Sequence, residues 1–275
     1  MHKDVIIVGA GISGIAAGYN MKKSCPNKSF SILEGRKNIG GTWDLFKYPG
    51  VRSDSDMHTL GFRFKPWIHD KSIADGPSIM EYLHETVNEN RLNDNILLNH
   101  IVDSANWNSK KSLWELKVKV NNDIKDMTCN FFFLCGGYYS YTKPHMPYFK
   151  NQENFEGQIV HPQFWDESLN YKNKKIAVIG SGATAITIVP AIAEQAQHVV
   201  MLQRSPTYVV SGPSEDVINK FLRKILPIRI TYFLIRWKNI LYQSFTFFMA
   251  RKYPERTKSR ILDLAKNEIG IENVN

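Results

Sequence analysis

At 275 residues the chain is long enough for one large domain or two smaller ones with separate cores, and 43% hydrophobic with 22% charged residues excludes a disordered chain. The three cysteines, Cys25, Cys129 and Cys135, match no metal or disulfide spacing; they exclude a disulfide scaffold and point to a reducing, cytoplasmic compartment. The net charge of +9 is concentrated: residues 217–260 hold eleven Lys/Arg against one acid, Glu255, and the remainder is close to neutral. No nucleic-acid-binding motif accompanies that basicity, so nucleic acid is not expected as a partner. The N-terminus does not read as a signal peptide. Arg229, Arg236 and Lys238 interrupt the best candidate for a membrane span.

Asp4 to Val8 is a short apolar, β-branched run that predicts a buried parallel strand. Gly9-Ala10-Gly11-Ile12-Ser13-Gly14 follows at once and opens a helix from Ile15 to Lys23; Ser29 to Leu33 predicts a second strand, ending in Glu34. In such a turn the first glycine makes the bend and the second lets the backbone approach a pyrophosphate. The third lets the helix pack on the strand, and the helix N-terminus offers amide donors. A carboxylate at Glu34 accepts ribose hydroxyls and repels a 2′-phosphate, so this unit suits FAD or NAD rather than NADP. The glycines of Gly40-Gly41-Thr42-Trp43-Asp44-Leu45 allow close approach to a flat ligand, with Trp43 as a wall. Asp54, after the Pro49-Gly50 turn, would present a carboxylate beside that ring; a plain surface loop accounts for the same residues.

Ser78 to Asn90 predicts a helix, Leu113 to Val120 alternates like a strand of a meander, and Phe131 to Leu134 predicts another buried strand. A loop rich in Tyr, Pro and Asn from Tyr138 to Asn173 marks a domain boundary. The opening pattern then repeats: strand Lys175 to Ile179, Gly180-Ser181-Gly182-Ala183-Thr184-Ala185, helix to about Ala196, and strand Val199 to Leu202. Arg204 is read at the place that Glu34 takes in the first unit, where a guanidinium pairs with a 2′-phosphate. That asymmetry points to FAD in the first unit and NADPH in the second; an ordinary surface arginine is the alternative. Beyond Pro206 the chain turns helical and aromatic with no third strand, so the second sheet is expected to be incomplete. Nine aromatics interleave with the cations of residues 217–260. A solvated face, a helical insert of the second domain and a peripheral contact with an anionic membrane all fit that pattern.

Phe155-Glu156-Gly157-Gln158-Ile159-Val160-His161-Pro162-Gln163-Phe164-Trp165-Asp166 resembles the Phe-x-Gly-x-x-x-His-x-x-x-Trp-(Pro/Asp) fingerprint of Baeyer–Villiger monooxygenases, and lies just ahead of the second glycine loop as in that family. GGTWDLFKYPGVRSDSD, IADGPSI, GYYSY, GSGATA and LQRSPTYVVS together resemble the ethionamide-activating branch of these class B flavoprotein monooxygenases. The resemblance runs from Asp4 to about Arg256. It implies an α/β chain of two Rossmann-like dinucleotide-binding domains. An FAD-binding domain would occupy residues 1–140, a linker with the fingerprint 141–173, and a partial NADP-binding domain 174–275, with a basic aromatic helical insert from about 213.

The resemblance places FAD contacts at Gly9, Gly11, Ser13, Gly14, Glu34, Thr42, Trp43, Asp44, Leu45, Asp54 and Val102. It places NADP contacts at Arg52, Ser53, Asp54, Gly180, Ser181, Gly182, Ala183, Thr184, Ala185, Ile186, Arg204 and Ser205. Asp54 would be catalytic by setting the charge near the flavin. His161 would be a linker residue, a hydrogen-bonded loop histidine being the alternative. The implied reaction uses NADPH and O2 and, through a C4a-peroxyflavin, converts a ketone to an ester or lactone, or oxygenates the sulfur or nitrogen of a thioether or amine. Family members are nearly twice as long, and their peroxyflavin-stabilising arginine aligns beyond Asn275. The chain alone is therefore expected to be a catalytically incomplete FAD/NADP-binding fragment. A disulfide reductase on the same plan would need a redox cysteine pair that these three cysteines do not supply. Oligomeric state is not written in these residues.

Overall fold

β1 (His2–Val8) and β2 (Phe30–Leu33) pair in parallel around α1 (Ile12–Ser24), as the apolar runs and the glycine turn require. The computed structural model describes residues 1–205, 207–209 and 212–269. It divides into two units: Met1–Val51 with Gly76–Asn170, and Arg52–Asp75 with Tyr171–Asn275.

The first unit holds a six-stranded sheet of order β3-β2-β1-β6-β5-β4, with β3 at Ile96–Leu97, β4 at His100–Asn108, β5 at Leu113–Val120 and β6 at Asp123–Leu134. β3, β2, β1 and β6 run parallel, whereas β4, β5 and β6 form an antiparallel meander. β6 serves both halves: Asp123 to Cys129 pairs with β5, and Thr128 to Leu134 pairs with β1. Alternation along β5 sends Leu116 and Val118 inward and Lys117 and Lys119 outward, and Asn121 turns the chain into β6 at φ 56°. The core gathers Ile6, Leu33, Leu116, Val118, Met127 and Cys129.

Two features differ from the sequence expectation. The strand expected at Phe131 to Leu134 is the end of a twelve-residue strand, and it is covered on one face only: Phe131 and Phe133 are 59% and 44% exposed. β4 and two single-turn helices, α2 (Thr42–Leu45) and α3 (Met57–Leu60), have too little apolar periodicity to be read in advance. α4 (Gly76–Glu89), by contrast, buries Ile79, Tyr82, Leu83, Thr86 and Val87 on one face, the helical period its sequence shows.

The second unit pairs β7 (Lys175–Ile179) with β8 (His198–Leu202) in parallel, with α5 (Ala183–Ala193) between them. α6 (Val217–Ile225), α7 (Ile228–Lys252) and α8 (Pro254–Ile269) follow. Within residues 1–140, Arg52–Asp75 groups with these helices rather than with the first sheet. The bonds that hold it there are specific. Asp56 caps α3 by accepting the Thr59 N–H at 3.0 Å and also accepts the Asn239 amide at 2.8 Å. Tyr232 donates to the Phe62 carbonyl at 3.1 Å, Arg236 to the His58 carbonyl at 2.6 Å, and the Ser72 N–H to the Ser214 carbonyl at 2.8 Å.

His58 is buried in this junction, and its two ring nitrogens have no hydrogen-bond partner among the described residues. Burial disfavours the imidazolium and holds its pKa below the ordinary 6.5, against the pull of Asp56 and Asp216 and with the help of Lys238 and Arg223. The unfolded chain therefore binds a proton near pH 6.5 that the folded one refuses. Stability is complete above that value and declines as pH falls toward the folded pKa. Thermal melts between neutral and mildly acidic pH should show a steeper loss for the native chain than for His58→Met; parallel losses would place the acid sensitivity elsewhere.

Candidate functional site

In the first glycine turn the Gly9 N–H donates to the Leu33 carbonyl at 2.7 Å, and Gly9 adopts φ +101°. A Cβ at Gly9 would lie 2.5 Å from the Cys135 carbonyl oxygen, and one at Gly14 only 1.8 Å from the Gly9 carbonyl oxygen. The fold itself thus demands glycine at both. Gly11 differs: it caps α1 at an ordinary φ of −77°, and its Cβ would meet only Gly41, at 3.5 Å or beyond. Nothing among the described residues forbids a side chain at Gly11, so the bare backbone there leaves a cradle in front of the helix N-terminus. Gly40 and Gly41 close its far side, the Gly40 N–H donating to the Ala10 carbonyl at 2.9 Å. Ser13 is exposed on the first turn of α1.

Glu34 is 1% exposed at the end of β2. One carboxylate oxygen accepts the Ala10 N–H at 2.8 Å and the other the Arg36 N–H at 3.0 Å. A carboxylate has about four acceptor positions, so about two remain for the hydroxyls of a ribose. These backbone amides also fix the side chain toward the glycine turn. The arrangement fits a dinucleotide's adenosine end.

Around Glu34 stand residues that the sequence reading missed. Arg36 pairs with Asp44 at 2.6 Å and donates to the Gly41 carbonyl at 3.2 Å, and Asn38 donates to Asp44 at 3.3 Å. The Tyr141 ring lies over the Arg36 guanidinium, 5.2 Å from its centroid. Burial pushes the Tyr141 phenol up, Glu34 and Asp44 add to this, and Arg36 opposes it. The Asp44 carboxylate is therefore engaged by protein cations, and α2 with Thr42, Trp43 and Leu45 is braced by that pair. The Glu34-x-Arg36 spacing was the available signal. Val102 packs against the sheet core beside a bulge in β4.

Arg52, Ser53 and Asp54 belong to the second unit. Ser53 is buried and exchanges two bonds with Ala74, at 2.8 and 3.1 Å, while Arg52 and Asp54 are exposed. In the same unit the Gly180 N–H donates to the Leu202 carbonyl at 2.9 Å with Gly180 at φ +135°. Gly182 caps α5, and a Cβ there would meet nothing within 4 Å among the described residues. Ala185 takes the third place and is buried, 3.9 Å from where a Gly180 Cβ would stand. Ser181, Thr184 and Ile186 are half-buried, and Ala183 is exposed.

Strand register corrects one sequence expectation. Val8 pairs with Leu33 ahead of Gly9, and Ile179 pairs with Leu202 ahead of Gly180. The residue equivalent to Glu34 is therefore Gln203, and the exposed Arg204 stands one position further on, with Ser205 beyond it. The second unit still replaces the carboxylate, by a neutral amide followed by a cation.

Two other sequence readings concern the first unit. His161 accepts the Gln163 N–H through Nδ1 at 3.2 Å, and burial holds its pKa below the usual value, so the neutral ring braces the fingerprint loop. Gln163 in turn donates to the Ser140 carbonyl at 2.6 Å. The three cysteines are free; burial pushes the Cys129 and Cys135 thiols up, which is opposite to the activation a redox pair needs.

A family model described as flavin-binding monooxygenase-like matches residues 65–269, and one described as NAD(P)-binding Rossmann-like domain matches residues 7–70. The chain is 48% identical over 269 residues to "FAD-containing monooxygenase EthA" of Mycobacterium tuberculosis, which covers 98% of this chain and 55% of that protein. The chain thus spans about half the length of the curated relatives it matches. Among solved structures, an oxidized steroid monooxygenase bound to NADP superposes with a TM-score of 0.71 at 26% identity, over 84% of this chain and 43% of that one. An open cyclohexanone monooxygenase shares the fold with a TM-score of 0.74 at 24% identity, over 86% of this chain and 45% of that one.

The two glycine turns should respond differently to one methyl group. Gly14→Ala should destabilise the chain by about 3 kcal/mol, the upper end for overpacking against backbone. Gly182→Ala should change stability by no more than about 1 kcal/mol, having open space and an allowed backbone angle. Equal shifts in denaturant midpoint would refute this account of the two turns.

Proposed function

The chain belongs to the flavin-binding monooxygenase-like family, and from that we propose that it carries the FAD and NADPH sites of a monooxygenase that uses O2 on a small-molecule substrate. One observation supports this most directly. Gly11 is bare where the fold would tolerate a side chain, and it faces a carboxylate with acceptor capacity to spare. FAD would sit there with its diphosphate toward Gly9, Gly11, Ser13 and Gly14 and its ribose toward Glu34. Thr42, Trp43, Leu45 and the backbone of Asp44 would line the path toward the flavin, with Val102 behind the adenosine side. When bound, FAD supplies the redox chemistry and the activation of oxygen.

NADPH would take the second turn, Gly180 to Ile186, with Arg204 and Ser205 toward the 2′-phosphate and with Arg52, Ser53 and Asp54. The exposed carboxylate of Asp54 would set the charge at the reacting ring. In this assignment the FAD-binding part is residues 1–140 without Arg52–Asp75, residues 141–173 are the linker, and 174–275 carry the coenzyme site. The fingerprint around His161 and the likeness to steroid and cyclohexanone monooxygenases favour ketone oxygenation to an ester or lactone, with thioethers and amines as further substrates. The free cysteines suit a reducing, cytoplasmic setting.

Coenzyme choice is the first test. A charge-assisted contact to a 2′-phosphate is worth about one to two decades of affinity. Arg204→Ala should weaken NADPH by that margin in a binding titration and leave NADH nearly unchanged; equal losses would show that Arg204 supports the fold instead.

FAD occupancy is the second. Glu34→Lys and Gly11→Val should each strip the flavin absorbance from purified protein. Full occupancy in both variants would remove the first turn from the assignment.

A further inference from the structure

Helices α6 and α7 both turn apolar faces outward, and α6 is inside out. The inward residues of α6 are polar: Asn219 is buried, Asp216 accepts the Asn219 N–H at 3.0 Å and pairs with Lys238, and Arg223 reaches Asp70 at 3.3 Å. Its outward residues Val217, Ile218, Phe221 and Ile225 are between 52% and 75% exposed. α7 also carries an exposed apolar face. Thr231, Tyr232 and Ile235 are buried and Arg236 is bonded to the His58 carbonyl, while Ile230, Phe233, Trp237, Leu241, Phe245 and Phe248 form an outward stripe at helical spacing. At the rise of an α-helix that stripe runs about 27 Å. A helix in water keeps such an apolar face covered. What covers the outward faces of α6 and α7 is therefore apolar.

Charge identifies what covers them. Residues 217–260 hold eleven cations and a single acid, and neither α6 nor α7 carries an acid. Lys220, Arg223, Arg236 and Lys238 are bonded within the unit, which leaves Lys224, Arg229, Arg251, Lys252, Arg256, Lys258 and Arg260 exposed. At the C-terminal end of α7 the cations lie along aromatic rings: Arg251 over Phe247 at 5.9 Å, Lys252 over Phe248 at 5.4 Å and Arg256 over Tyr253 at 5.4 Å. Stems on apolar surface with charged heads beyond them are the arrangement of side chains at a lipid headgroup boundary. A second copy docked symmetrically would set these cations against each other. Among the described residues no helix is long and apolar enough to cross a membrane, so the geometry is that of lying on one.

We propose that the outward faces of α6 and α7 dock on an anionic phospholipid bilayer. The apolar stripe enters the acyl boundary, and Arg229, Arg251, Lys252 and Arg256 contact the headgroup phosphates. The residues of this surface are not those assigned to the dinucleotide turns, and the proposal does not depend on that assignment.

The test is flotation of the full chain with vesicles of phosphatidylcholine alone or mixed with phosphatidylglycerol; aggregated protein sediments and is not counted as bound. Binding to the mixed vesicles at low salt, little binding to the neutral ones and release at high salt are expected. Arg251→Glu/Lys252→Glu/Arg256→Glu replaces exposed cations, and far-UV circular dichroism checks that it folds. It should weaken partitioning by about a hundredfold or more, since each cation near an anionic surface is worth about fivefold. Trp237→Gln/Leu241→Gln should weaken binding while leaving its salt dependence in place. Equal flotation on both lipids, or indifference to charge reversal, would overturn the proposal. So would a failure to float on either lipid while sedimentation shows a discrete dimer, which would assign the face to a second copy.

Discussion

The first unit depends on one buried carboxylate. Glu34 ends β2 and accepts one amide from the glycine turn after β1 and one from its own chain two residues on. It thereby fixes the exit of one strand against the entry of a helix whose sequence is glycine-rich and cannot fix itself. The same short segment carries Arg36, which holds α2 through Asp44 and bears the ring of Tyr141. Turn, second glycine pair and one-turn helix are therefore a single braced assembly. Removing the carboxylate would leave one buried and one half-buried amide without their acceptor, a cost that polar groups in a low-dielectric site do not escape.

Much of this was legible before any coordinates, because the signals are local. An apolar β-branched run, a glycine turn and a following helix fix one another within about thirty residues, and both such units appear where their sequences place them. Alternation gave β5 to the residue, since one face of that strand meets a core and the other meets water. The unread parts are those whose cause lies far away in sequence. Nothing near Arg52–Asp75 announces that its partners are Ser214, Tyr232, Arg236 and Asn239. Arg204 was placed one position early because counting from a glycine is less exact than a strand register. Tyr141 sits in a loop with no periodicity, and its contact with Arg36 is a matter of tertiary placement.

Composition misled in one respect that is physically informative. An apolar run is read as buried, yet Phe131, Phe133, Val200 and Leu202 are about half exposed or more, and the aromatics of α7 point outward. Sequence records how apolar a residue is; it does not record which surface answers it. Asn219 of α6 and Thr231 of α7 show this most clearly, since both are buried with side-chain atoms unpartnered among the described residues.

The double duty of β6 governs the order in which the first unit can assemble. Its pairing with β5 closes a two-residue hairpin, whereas its pairing with β1 joins His2 to Thr128. Loop closure favours the near contact, and parallel pairing across such a separation is slow. The meander from His100 to Leu134 would form first and present a finished edge, to which β1 is then added. During synthesis β1 meets β2 early, but it must wait for its second partner, β6, made more than a hundred residues later. In that interval the apolar run of β1 and its glycine turn are a stretch for chaperones to shield, and the nucleotide cradle cannot exist until the last of that sheet has emerged.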